Sequence, residues 1–327
     1  MSVLTRARER RPSVLASRVQ IAFVGGTRFI GHAAAVLALE RGHVVTLCHR
    51  GTHPCEVAGA KDVLVDRRDP EALALTLKRA EVIVDTRALT RPDAEVTALC
   101  AKILGAPCVV LSSQDVYAQF GRLLGHPMSE APEAVITERS PLTVPYPFRG
   151  IYDHEGGPDY DKKQVEAVFE RAVSKSVPGA IALRLPAVYG ARDPNRRFGR
   201  VFDALQKGDV LPCQGGGAWR WTHAHVRDAA HAIVLAAEKV RAGYHVYNAG
   251  EAHTPTMRER VESIAAYLGK NARFEEVEEL PEDFDDLGRH ENDLVVSSSA
   301  LRGALGFEEI TTHDERVADL VSWLRKT

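Results

Sequence analysis

Residues 24–32, Val24 to His32, read VGGTRFIGH. The apolar run RVQIAFV precedes them, and Ile30, Ala34, Leu37 and Ala38 then recur at helical spacing. Gly25, Gly26 and Gly31 therefore fall where a strand turns into a helix. A glycine turn in that context offers backbone N–H groups and the positive end of a helix dipole to a dinucleotide diphosphate. Tight turns also use glycine for conformation alone, so the rest of the chain has to decide the reading. Arg28 and Phe29 are large residues inside the turn, and they need an explanation.

Downstream, five more β-rich runs alternate with helical patterns: HVVTLC, DVLV, EVIV, PCVVLS and AIALRL. Short, almost wholly apolar strands suit a parallel sheet covered on both faces. Their alternation with helices predicts an α/β fold with a doubly wound Rossmann-type sheet. After RLPAVYG the pattern changes, and residues 194–217 are richer in Gly, Arg and Pro. We expect residues 18–192 to form the dinucleotide-binding domain and residues 193–327 a smaller C-terminal α/β substrate lobe. Residues 226–250 are expected to return to the main sheet. Two helix starts in this lobe carry capping boxes, Thr256 with Glu259 and Thr312 with Glu315. Residues 1–17 are arginine-rich without the apolar core of a secretory signal, and read as a flexible extension.

The chain of 327 residues is 45% apolar, enough for a sizeable core. Its 42 Lys and Arg against 44 Asp and Glu leave no basic field for nucleic acid. No apolar run approaches the length of a membrane span. The five scattered cysteines suit a reducing, cytoplasmic compartment. His223 and His225 stand two apart, but no carboxylate or cysteine completes a set, so no metal is expected.

Chains that bind NAD place an acidic residue at the end of the second strand for the ribose hydroxyls. Here His49 and Arg50 stand instead. Arg28 and Arg50 can bracket a 2′-phosphate, since guanidinium pairs bidentately with phosphate oxygens. The turn then reads as built for NADP, with NAD as the alternative. The other reading makes both arginines solvated surface residues.

Together these motifs resemble the extended and atypical short-chain dehydrogenase/reductases, the NAD-dependent epimerase/dehydratase family. The resemblance runs from about Val19 to Leu324 through GGTRFIG, DRRD, LSSQDVY, DYDKKQVE, LRLPAVYG, HVRDAA and YNAG, in order. It implies that Thr27, Phe29 and Ile30 join the glycines in the cofactor turn. It implies that Asp66 meets the adenine, with Arg67 beside it, and that Arg87 lies along the cofactor. Ser113 matches the family's catalytic serine and Tyr160 its catalytic tyrosine. In such enzymes a lysine four residues after the tyrosine supplies positive charge and holds the nicotinamide ribose. Gln164 stands there instead, able to hydrogen-bond a ribose but uncharged. An isolated phenol titrates near pH ~10, so the missing charge matters. Helical spacing from Tyr160 makes Lys163 the substitute and turns Lys162 to the opposite side. That bookkeeping fails if Asp161 caps the helix and leaves Tyr160 outside it.

On the substrate side the family places an arginine shortly before its HVxD element. Arg220 lies five residues before His225, and Trp219 and Trp221 flank it with faces that can stack on a base or sugar. Tyr152 and His154 lie in a long insertion just ahead of Tyr160. The resemblance implies an enzyme acting on a hydroxyl or carbonyl of a polar small molecule, such as a nucleotide sugar, by reduction, epimerisation or dehydration. No nucleic acid or membrane partner is expected, and the reading admits a homodimer. Gln164 motivates the alternative, an NADP-binding regulatory or RNA-associated member with little dehydrogenase activity.

Overall fold

The computed structural model describes residues 18–126, 128, 130–144, 157–288, 290 and 292–327. The extension at residues 1–17, and Tyr152 and His154, lie outside the described residues.

The strand-like runs become β1 (Gln20–Val24), β2 (Val44–His49), β3 (Lys61–Leu64), β4 (Val82–Asp85), β5 (Cys108–Ser113) and β6 (Gly179–Leu185). Between them lie α1 (Phe29–Glu40), α2 (Pro70–Leu77), α3 (Arg91–Leu104), α4 (Ala118–Gly121) and α5 (Lys162–Lys175). Three short strands follow, β7 (Ala187–Tyr189), β8 (Leu211–Cys213) and β9 (His223–His225), with α6 (Gly199–Lys207) between β7 and β8. The rest are α7 (Val226–Lys239), β10 (Gly243–Asn248), α8 (Met257–Tyr267), β11 (Phe274–Glu276), α9 (Ser299–Leu305) and α10 (His313–Leu324).

One parallel sheet of seven strands runs β10-β6-β5-β4-β1-β2-β3. The doubly wound fold expected from the strand pattern is present. Alternation along β1 explains its apolar run. Ile21 and Phe23 pack with α1 and α7 residues such as Ala34, Ala35, Ile233 and Val234. Ala22 and Val24 pack on the other face with Leu73, Ala98, Val165 and Phe169 of α2, α3 and α5. Both faces are covered, so a strand here has no polar side to show.

Strand order reverses between β1 and β4, and the crevice at their carboxyl ends is where open α/β sheets bind ligands. Above those ends a third apolar cluster joins α6, α8 and α10 through Phe202, Met257, Val261, Ile264 and Leu320. Thr256 and Thr312 each form the reciprocal capping box with Glu259 and Glu315. Two short parallel pairs, β7–β9 and β8–β11, stand apart from the main sheet.

Candidate active site

The glycine turn closes onto its neighbours with no room for a side chain. A Cβ on Gly25 would lie 2.4 Å from Thr86 Oγ1, one on Gly26 2.9 Å from a Leu47 methyl, and one on Gly31 2.7 Å from the Gly26 backbone. Gly25 and Gly26 also hold φ of +95°, which an L side chain resists. Helix α1 starts directly after the turn with no side-chain cap and no acid in its first turn. By contrast α2, α3 and α5 are capped by Asp69, Thr90 and Asp161. The first N–H groups of α1 are thus left for an anion. These features fit a dinucleotide diphosphate.

Arg28 is the N-cap residue of α1 and is exposed, with Nη1 3.2 Å from His53 Nε2. Phe29 has a φ of 39°, a strained value for an aromatic residue. Arg50 is exposed just beyond β2, and Val24 pairs with Cys48 in the sheet, so Arg28 and Arg50 leave adjacent strand ends. Thr27 and Ile30 complete the turn between Gly26 and Gly31. His49 Nε2 contacts Asp62 Oδ1, and its Nδ1 accepts from Gly51 N at 3.1 Å. His49, Cys55 and Asp62 cluster closely enough to suggest a metal site. A histidine bound to metal through Nε2 needs a donor proton on Nδ1, yet Nδ1 here faces an N–H. In this arrangement His49 and Asp62 form a histidine–carboxylate pair, with Nε2 toward the carboxylate.

Several expected contacts are different in the structure. Arg67 is committed to protein partners, with Nη1 donating to the Arg87 carbonyl at 2.7 Å. Its guanidinium donates to buried Asp85 Oδ2 at 2.6 Å and to Thr97 Oγ1 at 3.0 Å, because Asp85 is wholly buried and needs a counter-charge. Asp66 folds back on its own turn, accepting from Arg68 N at 2.9 Å. Gln164 is not turned toward a ribose: its side chain donates to Asp161 Oδ2 at 3.0 Å, while Asp161 Oδ1 caps Gln164 N. Lys163 points to the Thr143 carbonyl instead of replacing the missing lysine.

The reason is the position of the helix start. Asp161 is the N-cap of α5, so Tyr160 lies outside the helix and spacing counted from it has no meaning. The ammonium near Tyr160 belongs to Lys162. Its Nζ lies 5.8 Å from the Tyr160 ring centroid and donates to Ala88 O at 2.8 Å and Leu111 O at 2.9 Å. Burial pushes Lys162 down from its ordinary 10.5 to about 8, with the carboxylates of Asp115 and Asp85 working the other way. Tyr160 OH donates to Asp115 Oδ2 at 3.2 Å, and Ser113 Oγ accepts from Asp115 N at 3.3 Å. Ser113, Asp115, Tyr160 and Lys162 thus converge at the carboxyl ends of β4 and β5. Lys162 and Asp115 were missed as site residues. The signals available were Asp161 as a capping residue and Asp115 two residues from Ser113.

On the facing side, Arg220 is half-buried and donates to Thr254 O at 2.8 Å. Trp221 lies between Trp219 (5.5 Å between centroids) and His223 (4.9 Å), and the Arg197 guanidinium lies 5.2 Å over its ring. Arg197 Nε, Trp221 Nε1 and His223 Nε2 are buried without hydrogen-bond partners. Burial holds His223 well below its ordinary value, so it is neutral. Arg196 and Phe198 hold left-handed φ of 49° and 65° and line a cavity of about 260 Å³ with Arg197, Arg200, Met257 and Val261. Arg197 thus places a cation between Trp221 and this cavity, which reading for the family arginine alone did not find.

No curated protein matches the chain in sequence. Residues 159–250 match the NAD dependent epimerase/dehydratase family. Solved structures share the fold. A UDP-N-acetylglucosamine 4-epimerase from Bacillus cereus aligns with a TM-score of 0.72 at 15% identity, over 94% of this chain and 99% of that one. A dTDP-glucose 4,6-dehydratase from Bacillus anthracis in complex with NAD gives 0.69 at 20%, over 94% and 97%. MoeE5 in complex with UDP-glucuronic acid and NAD gives 0.70 at 18%, over 94% and 99%.

Proposed function

We propose that this epimerase/dehydratase-like chain is an NADP-preferring enzyme acting on a hydroxyl or carbonyl of a polar small molecule, with nucleotide sugars as the substrate class. The observation that carries the reading is Tyr160 OH on Asp115 with the Lys162 ammonium beside the ring. Lys162 places an ammonium near the Tyr160 ring where Gln164 offers none, which supports the enzyme reading over the regulatory one.

A bound nicotinamide would supply the hydride acceptor and donor. The chain's residues handle the proton and the orientation. Ser113 Oγ would hold the substrate oxygen, and Tyr160 Oη would exchange a proton with it. Asp115 keeps the phenol aimed into the crevice until a substrate oxygen takes its place. Lys162 favours the phenolate when that proton has left. Arg197 and Trp221 offer a cation and an aromatic face to the remote part of the substrate, which suits a nucleoside diphosphate. Incubating the protein with NADP and a panel of UDP- and dTDP-sugars, and separating the products, tests this. Firm NADP binding without turnover of any of them would sink the enzyme reading.

The cofactor preference makes a second, sharper prediction. A charge-assisted arginine–phosphate contact is worth about 1.5–3 kcal/mol, so Arg28→Ala and Arg50→Ala should each weaken NADP roughly ten- to a hundredfold. NAD, without the 2′-phosphate, should lose little. Equilibrium titration with both cofactors decides the matter: equal losses for NAD and NADP would reduce Arg28 to a turn residue.

A further inference from the structure

The loop of residues 86–90, between β4 and α3, gives two carbonyls to the lysine end of the site. Ala88 O accepts from Lys162 Nζ at 2.8 Å, and Leu89 O accepts from Asp161 N at 3.1 Å. Asp161 is the N-cap that starts α5 just after Tyr160. The same loop therefore holds both the ammonium and the helix start that places it. Arg67 fixes this loop. Its Nη1 donates to Arg87 O at 2.7 Å and lies 3.4 Å from Asp93 Oδ1, while its Nη2 donates to Asp85 Oδ2 at 2.6 Å and to Thr97 Oγ1 at 3.0 Å. Both carboxylates in turn bind the loop backbone. Asp85 Oδ1 accepts from Arg87 N at 2.9 Å, and Asp93 Oδ2 accepts from Leu89 N at 3.2 Å and from Thr90 N at 3.1 Å. Arg67 thus grips the loop once directly and twice through carboxylates.

We infer that Arg67 is a positioning residue for the site lysine: through the 86–90 loop it holds Ala88 O against Lys162 Nζ and Leu89 O against Asp161 N. This rests on the reading that Tyr160 and Lys162 serve proton transfer. The contact set explains why an arginine stands here. A planar fork reaches a carboxylate, a hydroxyl and a carbonyl in fixed relative directions, and its charge offsets the wholly buried Asp85. A lysine ammonium in its place would keep the charge and lose the fork. Of the two carbonyls that Lys162 Nζ meets, Leu111 O belongs to β5, which is paired on both sides by β4 and β6. Ala88 O sits in the loop, so its place depends on what holds the loop. A displacement of roughly 1 Å near the reacting groups can cost about a hundredfold in rate. The start of the loop is tied separately, since Thr86 N and Thr86 Oγ1 both donate to Val24 O at 3.1 Å. The part against the glycine turn therefore keeps its place when Arg67 is changed.

Arg67→Lys is the test variant, because Arg67→Met also strands the Asp85 carboxylate and weakens the fold. Arg67→Lys should keep most of the stability that Arg67→Met loses, yet its kcat should fall roughly ten- to a hundredfold. KM for the sugar nucleotide and affinity for NADP should stay within about threefold of wild type. Amide hydrogen exchange on the full chain, without substrate, reads the loop directly. Exchange at Leu89, Thr90 and Asp161 should quicken roughly tenfold or more, while the amides of β6 change by the smaller factor that global stability sets. An arginine that only stabilises the fold would quicken all of them alike and leave kcat of the folded protein unchanged. Equal factors at Asp161 and in β6 overturn the inference, whatever the activity does. Local quickening with full kcat in Arg67→Lys also overturns it, because Lys162 would then not depend on the loop. A wild type that turns over no sugar nucleotide removes the enzyme reading by itself, and exchange at Asp161 still decides whether Arg67 holds the loop and the helix start.

Discussion

Lys162→Met should lower turnover by roughly 10²–10⁴, the range over which a positioned proton-transfer group acts. Its NADP affinity should fall far less than its turnover, because the glycine turn, Arg28 and Arg50 remain. The same variant carries a second signature, visible without any substrate. Lys162 is 5% exposed and is held at about 8, against 10.5 for an ordinary lysine. Its pKa in the folded chain is therefore below its pKa in the unfolded chain, and between pH 8 and 10.5 the unfolded chain binds more protons. The contribution of Lys162 to stability therefore rises with pH across that window, against the falling contribution of buried Cys48, Cys100, Cys108 and Tyr117, whose burial raises their pKa values. At 1.36 kcal/mol for each unit, the charge costs the fold about 3 kcal/mol at neutral pH, and the cost disappears by about pH 10.5. Denaturation of wild type and Lys162→Met in parallel, at pH 7 and in steps upward, isolates this term. The wild type should gain up to about 3 kcal/mol on the variant. A flat difference would mean that Lys162 is neither buried nor charged as described. Conservative replacement does not imitate the site: Lys162→Gln restores a hydrogen bond to Ala88 O or Leu111 O but no charge, and should stay slow.

This site also shows where reading a sequence stops. The central strands β1, β4, β5 and β6 were legible because they are apolar on both faces, a direct consequence of helices covering both sides of a parallel sheet. The capping boxes at Thr256 and Thr312 were legible because the partners lie three residues apart. The turn at Gly25 was legible from its place between strand and helix. Lys162 was not, because one residue of helix start decides which lysine meets Tyr160. Asp161 decides it by capping Gln164 N, and a fixed four-residue count from Tyr160 ignores that cap. Arg67 failed for a different reason. Its motif follows β3, yet its counter-ion is Asp85 at the end of β4, 18 residues away in sequence. Only the pairing of strands brings the two together. Arg197 reaches Trp221 across the segment of left-handed backbone at Arg196 and Phe198, which no periodicity announces. Local chemistry was read well, and charges whose partners are distant in sequence were not.

Glu166 carries the last prediction, since it joins the site to the fold. It lies one helical turn after Lys162 on α5 and is buried. Ser112 Oγ donates to Glu166 Oε1 at 2.5 Å, Arg184 Nε donates to the same oxygen at 2.9 Å, and Arg184 Nη2 donates to Oε2 at 2.7 Å. Arg184 Nη1 continues to Tyr117 OH at 3.0 Å, and that hydroxyl donates to Asn248 Oδ1 at 2.7 Å. Side chains of Arg184 and Glu166 are 5% and 8% exposed. Burial alone would make the guanidinium easier to deprotonate; the Glu166 carboxylate raises its pKa above the ordinary value. Removing the carboxylate strands that charge in the core. Glu166→Ala should therefore cost about 3–5 kcal/mol, or a melting point lower by roughly 10 °C in a chain of this size. Replacing both partners, as Glu166→Leu with Arg184→Met, should recover more than half of that loss, since apolar pairs of similar volume substitute well for buried ion pairs. The recovered fold should still turn over slowly, because Ser112 and Tyr117 have lost the groups that hold the end of β5 against α5. If the double variant is no more stable than Glu166→Ala, the loss comes from packing and not from the stranded charge. If it regains full turnover as well as stability, the network holds the fold together but does not position Ser113 and Lys162.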